Sequence, residues 1–161
     1  MGTESKEELK ISQFLSEDRI LFFRGKQDKE TVLNALIDLL AKDPDIGVRD
    51  DIAWGVFHRE ELLNTAIGNS VAVPHCYLSG LEKTCVAVAV CPEGVTDYYT
   101  PDGYPVKLVF MLISDKKQKN VLVKLLPGIS RLFFTGRLRA AFLACTDAAA
   151  CMNLIRRVEK M

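Results

Sequence analysis

The sequence predicts an α/β fold in a single domain, with helices packed on a central sheet. Three observations lead there. At 161 residues the chain has the size of one domain, commonly about 100–200 residues, and can bury roughly two-thirds of its unfolded surface. The apolar runs VAV (71–73), TCVAVAVC (84–91) and VKLVFMLI (106–113) have the β-branched content of buried strands. Segments with helical periodicity alternate with these runs, which is the pattern of an α/β sandwich.

Taken in order, residues 1–9 read as a flexible polar tail, and the rest of the chain as the folded domain. ISQFLSEDRILFF (11–23) is apolar but has no clean period. In DKETVLNALIDLLAKD (28–43), Val32, Leu36, Leu39 and Leu40 share one helix face. Asp28 is its N-cap, Glu30 suits the positive helix end, and Asp43-Pro44 stops it. A short helix is expected over about Arg59–Asn64, before Gly68. A strand follows over 70–73, then the two long strands. Pro101-Asp102-Gly103 between them marks a turn. In KNVLVKLLPGISRLFF (119–134), Leu122, Leu125, Leu126, Ile129, Leu132 and Phe133 make another helix face. Pro127 removes a helical hydrogen bond, so a kink or break is expected there. Residues 136–145 form a further short helix. The last helix, 146–160, takes Thr146 as N-cap and carries Arg156, Arg157 and Lys160 at its C-terminal end.

Charge and cysteine content narrow the function. Lys plus Arg and Asp plus Glu number 21 each, so the basic excess of a nucleic-acid binder is missing. No apolar stretch approaches about 18 residues, which speaks against membrane insertion. Gly2 is followed by Lys6 where a myristoylation motif wants Ser or Thr. The five cysteines are odd in number and contain no CxxC pair, which reads as reduced thiols in a cytoplasmic protein. Adjacent His75 and Cys76 point to opposite faces of an extended chain and make a poor zinc pair. The sequence therefore calls for no metal and no cofactor; there is no GxSxG elbow, Walker loop or GxGxxG.

The stretch GNSVAVPHCYLSG (68–80) holds one of the two histidines of the chain. Pro74 fixes its own φ, pushes Val73 into an extended conformation, and cannot donate to a sheet ladder. His75 is thus expected at a sheet end on a stiff backbone, where ligand chemistry concentrates in α/β folds. A neutral imidazole there is a competent nucleophile. From residue type alone, a histidine that merely packs near the surface is the commoner outcome.

HREELLNTAIGNSVAVPHC (58–76) resembles the signature of enzyme IIA domains of the bacterial sugar phosphotransferase system. The branch is the mannitol/fructose type, which includes the nitrogen-regulatory IIA proteins. The matching features are Arg59-Glu60 opening a helix, the loop Thr65-Ala66-Ile67-Gly68, and a strand ending in Pro74-His75. The resemblance spans roughly residues 10–160 and implies a mixed central sheet flanked by helices on both faces. It also implies a phosphocarrier. His75 would accept a phosphoryl group from the phosphohistidine of an HPr-type carrier protein and pass it to a IIB domain, or keep it as a signal to a regulated target. Arg59 would present paired donors to the phosphoryl oxygens. Thr65 would either donate its hydroxyl to the anion or simply cap the loop, and the N–H groups of the 64–69 loop would add to the anion site. The chain departs from the family at Ala66 and Cys76, where glycine is usual, and at Leu122, which aligns with a second histidine of the family. A Cys76 side chain has the size to crowd the docking surface, but a neutral substitution is the commoner outcome. Leu122 cannot bond a phosphoryl group. These departures motivate the alternative of a IIA-like regulatory module that binds partners without carrying phosphate. A thiol enzyme using Cys76 and His75 is disfavoured because neighbouring side chains diverge.

Overall fold

Two long antiparallel strands organise the molecule, and their alternating side chains divide it into two cores. The computed structural model describes residues 9–81 and 83–160. Among them are the strands β1 (Ile20–Phe22), β2 (Ala66–Gly68), β3 (Val71–Ala72), β4 (His75–Leu78), β5 (Cys85–Val95) and β6 (Val106–Asp115). The α-helices are α1 (Lys29–Ala41), α2 (Arg49–Leu62), α3 (Lys119–Phe134), α4 (Gly136–Leu143) and α5 (Ala148–Glu159). The sheet order is β1-β5-β6-β3-β2, with β4 also on β6. It is mixed: β5 and β6 are antiparallel, while β1 runs parallel to β5, and β3 and β4 parallel to β6.

A strand has a side-chain period of two, so each face of β5 and β6 is apolar. Ala87, Ala89, Cys91, Val109 and Met111 face the core under α1 and α2. Val86, Val88, Val90, Leu108, Phe110 and Leu112 face the core under α3, α4 and α5. Helices therefore flank both faces, as expected. Leu9 packs against the second core; the expected tail, residues 1–8 of it, lies outside the described residues. No helix among the described residues is long and apolar enough to cross a membrane.

Several local expectations are corrected. The helix expected over 59–64 is the tail of a longer one that begins at Arg49. Its buried face is Ile52, Val56 and Glu60 at i, i+4, i+8; a glutamate interrupts the apolar stripe and Trp54 is apolar on the exposed side, so no period stands out. The aperiodic segment 11–23 resolves into two 3₁₀ turns and the edge strand β1. Helix α3 does not break at Pro127, which sits exposed inside a continuous run from Lys119 to Phe134. There the carbonyl that has lost its donor is on the side of water. The N-cap of α5 is Asp147, whose carboxylate accepts from the Ala150 N–H at 2.8 Å, not Thr146. Asp28 caps α1 as expected, accepting from Thr31 N–H at 2.7 Å. Pro74 does not end the sheet either. Its carbonyl accepts from Leu112 N at 3.0 Å, and His75 resumes pairing opposite Leu112 in the same register that pairs Ala72 with Val109. Proline loses only the donor half of its peptide, so it divides β3 from β4 and His75 stands at that internal break.

Candidate functional site

His75 is half-buried at the start of β4. Its Nδ1 lies 2.8 Å from the Val73 carbonyl oxygen. A carbonyl only accepts, so Nδ1 carries the hydrogen and Nε2 keeps its lone pair. Burial lowers the imidazole pKa below the ordinary 6.5; the Val73 bond opposes this, the Arg59 charge adds to it, and the Glu60 charge opposes it. The ring is therefore neutral at pH 7, with a free nucleophilic nitrogen aimed by a rigid backbone.

Arg59 and Glu60 close α2 rather than open a helix. The Arg59 guanidinium donates from Nη1 to the Leu63 carbonyl at 2.6 Å, which covers an orphan acceptor at the helix C-terminus and suits the dipole there. Its remaining N–H groups have no hydrogen-bond partner among the described residues.

Glu60 turns inward, only 7% exposed. Its Oε1 pairs with Lys29 Nζ at 2.9 Å and accepts from Thr65 N–H at 3.1 Å, while Oε2 accepts from the Thr65 hydroxyl at 2.7 Å. The Thr65 oxygen in turn lies 2.8 Å from the Tyr98 hydroxyl, and the Lys29 ammonium sits 4.3 Å from the centre of the Tyr98 ring. Thr65 is thus buried with its hydroxyl already committed.

The loop amides expected to bind an anion are also engaged. Thr65 N–H bonds Glu60, Ala66 N–H bonds Asn64 Oδ1 at 2.9 Å, and Asn69 N–H bonds Asp102 Oδ2 at 2.8 Å. Asn69 and Ser70 both have positive φ, 55° and 64°, and make a two-residue primed turn between β2 and β3. Those amides build the hairpin rather than an anion cradle.

The departures at 76 and 122 acquire physical meaning. Cys76 does not crowd a docking surface: it is 5% exposed and points at Gly55 of α2. A Cβ built at Gly55 would stand 3.0 Å from its Sγ and 3.1 Å from its Cβ. Burial pushes the thiol up to about 12, so it is inert. Leu122 is fully buried in the core that also holds Val73 and Leu112.

The structure thus brings His75, Arg59 and Thr65 into one neighbourhood and adds Glu60, Lys29 and Tyr98, to which the sequence assigned no role in a site. Lys29 and Tyr98 come from an early helix and a late loop, with no local signal to join them. Glu60 carried one: at i+8 from Ile52 it falls on the buried face of α2.

Residues 13–158 match the model of the family described as "Phosphoenolpyruvate-dependent sugar phosphotransferase system, EIIA 2". A nitrogen regulatory protein of Pseudomonas aeruginosa is 27% identical over 94% of this chain and 97% of its own length. The fructose-specific EIIABC component of Bacillus subtilis is 26% identical over 94% of this chain, which spans only 24% of that longer protein. Among solved structures, the nitrogen regulatory protein IIA-Ntr of Neisseria meningitidis superposes with a TM-score of 0.81, covering 90% of this chain and 98% of that one at 23% identity. The mannitol IIA of Escherichia coli follows at 0.72, covering 88% and 98% at 19% identity. The chain belongs to the EIIA 2 family of the phosphoenolpyruvate-dependent sugar phosphotransferase system.

Proposed function

We propose that this protein is a IIA-type phosphocarrier with a regulatory role, and that His75 is its phosphoryl acceptor. The observation that carries the reading is the Nδ1–H bond to Val73, which leaves Nε2 free. The Nε2 lone pair forms the new N–P bond as the N–P bond of the donor phosphohistidine breaks. The electron pair of that bond returns to the donor's imidazole. The Nδ1 proton stays in its bond to the Val73 carbonyl, whose oxygen stabilises the positive charge the ring acquires. Catalysis of such a step rests on placement and on stabilising charge at the equatorial oxygens. Arg59 serves the second need through its unengaged N–H groups. Thr65, with its hydroxyl committed to Glu60, acts by holding the loop.

The donor is an HPr-type carrier protein, and the acceptor a IIB domain or a regulated target. The solved complex of mannitol IIA with phosphorylated IIB supports the IIB pairing by analogy of fold. Coverage of almost the whole Pseudomonas aeruginosa nitrogen regulatory protein supports the regulatory role. Five free cysteines fit a reducing cytoplasm.

The test is intact mass after incubation with phosphoenolpyruvate, enzyme I and an HPr-type carrier, on the wild type and on His75→Ala. One phosphoryl group on the wild type alone supports the reading. No addition to either, with a competent carrier, favours the module that acts by contact alone, for which the buried apolar Leu122 is the specific motive.

A further inference from the structure

We propose that Glu60 is a positioning residue for the phosphoryl acceptor, fixing the ring orientation and tautomer of His75 through Thr65 and Val73. The inference rests on the reading of His75 as the acceptor and adds a component to it. Four hydrogen bonds make a continuous path. The Glu60 carboxylate accepts from the Thr65 N–H at 3.1 Å and from its hydroxyl at 2.7 Å. The Thr65 carbonyl accepts from Val73 N–H at 3.0 Å. The Val73 carbonyl then accepts from His75 Nδ1–H at 2.8 Å. The peptide between Pro74 and Val73 cannot adjust freely, because Pro74 locks its own φ and restricts Val73. Displacement of Thr65 is thereby passed to the carbonyl that selects the tautomer.

The placement of Glu60 is costly on two counts. It is a buried carboxylate, 7% exposed, and burying a charge is unfavourable unless it is paired and hydrogen-bonded. It also lies in the last turn of α2, where the helix dipole disfavours an anion. Lys29 at 2.9 Å and both donors of Thr65 offset these costs. An apolar residue would complete the Ile52–Val56 stripe without them. What such a residue would not do is hold Thr65 by two bonds.

The experiment compares Glu60→Asp with Glu60→Gln. Aspartate keeps the charge beside Lys29 but falls short of Thr65. Glutamine keeps the reach, since its oxygen accepts from Thr65 N–H and its NH₂ donates to the Thr65 oxygen, but drops the charge. Long-range ¹⁵N–¹H NMR reads the tautomer of His75, and the second histidine, exposed His58, reports in the same spectrum that the fold is intact. Transfer from the phosphorylated carrier is timed in parallel. Positioning through hydrogen bonds predicts that Glu60→Gln keeps the Nδ1–H tautomer and the wild-type rate. Glu60→Asp mixes the tautomers and slows transfer on the order of tenfold, the scale of a small loss of reactant alignment. Both variants behaving like wild type, or both disturbed alike, overturns the proposal. The tautomer is read on unphosphorylated protein, so it decides the role of Glu60 even if His75→Ala were still labelled and the acceptor lay elsewhere.

Discussion

At the scale of single residues, the candidate site couples the His75 imidazole to the charge of the Arg59 guanidinium. Burial is the leading cause that holds the His75 pKa below 6.5, so between its folded value and 6.5 the unfolded chain binds more protons than the native one. Stability therefore rises with pH through that window, is complete above about 6.5, and falls as the pH drops toward the folded pKa. An NMR titration of the His75 ring should give a midpoint below 6.5, and His75→Ala should flatten that limb of the stability profile. Arg59→Ala should slow phosphoryl transfer by roughly 10²-fold, the scale of losing one preorganised donor, in a rapid-quench assay with the phosphorylated carrier. An unchanged rate would remove Arg59 from the site. Cys76 lies next in sequence to His75, yet its thiol pKa of about 12 and its burial predict no alkylation at neutral pH in native protein. The half-buried Cys145 should react first, which mass mapping after brief labelling would check.

At the scale of elements, two contacts show how packing overrides local preference. Gly55 sits inside α2, where alanine would gain roughly 1 kcal/mol of helix propensity. The Cys76 side chain occupies the space, with Sγ 3.0 Å from a built Cβ, and overpacking of this kind costs about 1–3 kcal/mol. Gly55→Ala should therefore destabilise the wild type but stabilise a Cys76→Gly background. The sign change would appear in a double-mutant cycle of urea unfolding; additive effects would deny the contact. Helix α3 runs through Pro127 at the expense of one backbone bond. Pro127→Ala should stabilise by about 1–3 kcal/mol in the same assay. A loss of stability would mean that the proline is serving the packing of α3.

At the scale of the molecule, β5 and β6 belong to both cores, and no layer can lose its packing alone. Phe110 is fully buried and touches Phe133 and Phe142, with ring centroids 5.0 and 6.2 Å away. Phe110→Ala should cost about 3–5 kcal/mol. The single tryptophan, Trp54, rides on α2 over the opposite face. Its fluorescence and the far-UV circular dichroism should lose structure in one coincident transition, shifted equally by Phe110→Ala. Separate midpoints would mean that the two faces unfold independently.

The sequence by itself determined the α/β class, the two central strands and the capped helix α1, and it singled out His75 as the candidate for chemistry. Each of these is written in neighbouring residues: a period, a cap, or a proline beside a histidine. Only the tertiary structure decided that Thr65 spends its hydroxyl on Glu60, that the Thr65, Ala66 and Asn69 amides bond side chains around the hairpin, and that Cys76 hides against Gly55. It also decided that Glu60 meets Lys29 and, through Thr65, Tyr98. Those outcomes depend on segments far apart in sequence meeting in a low-dielectric interior. There a polar group must find its partner wherever the fold supplies one, and no local pattern of residues records that choice.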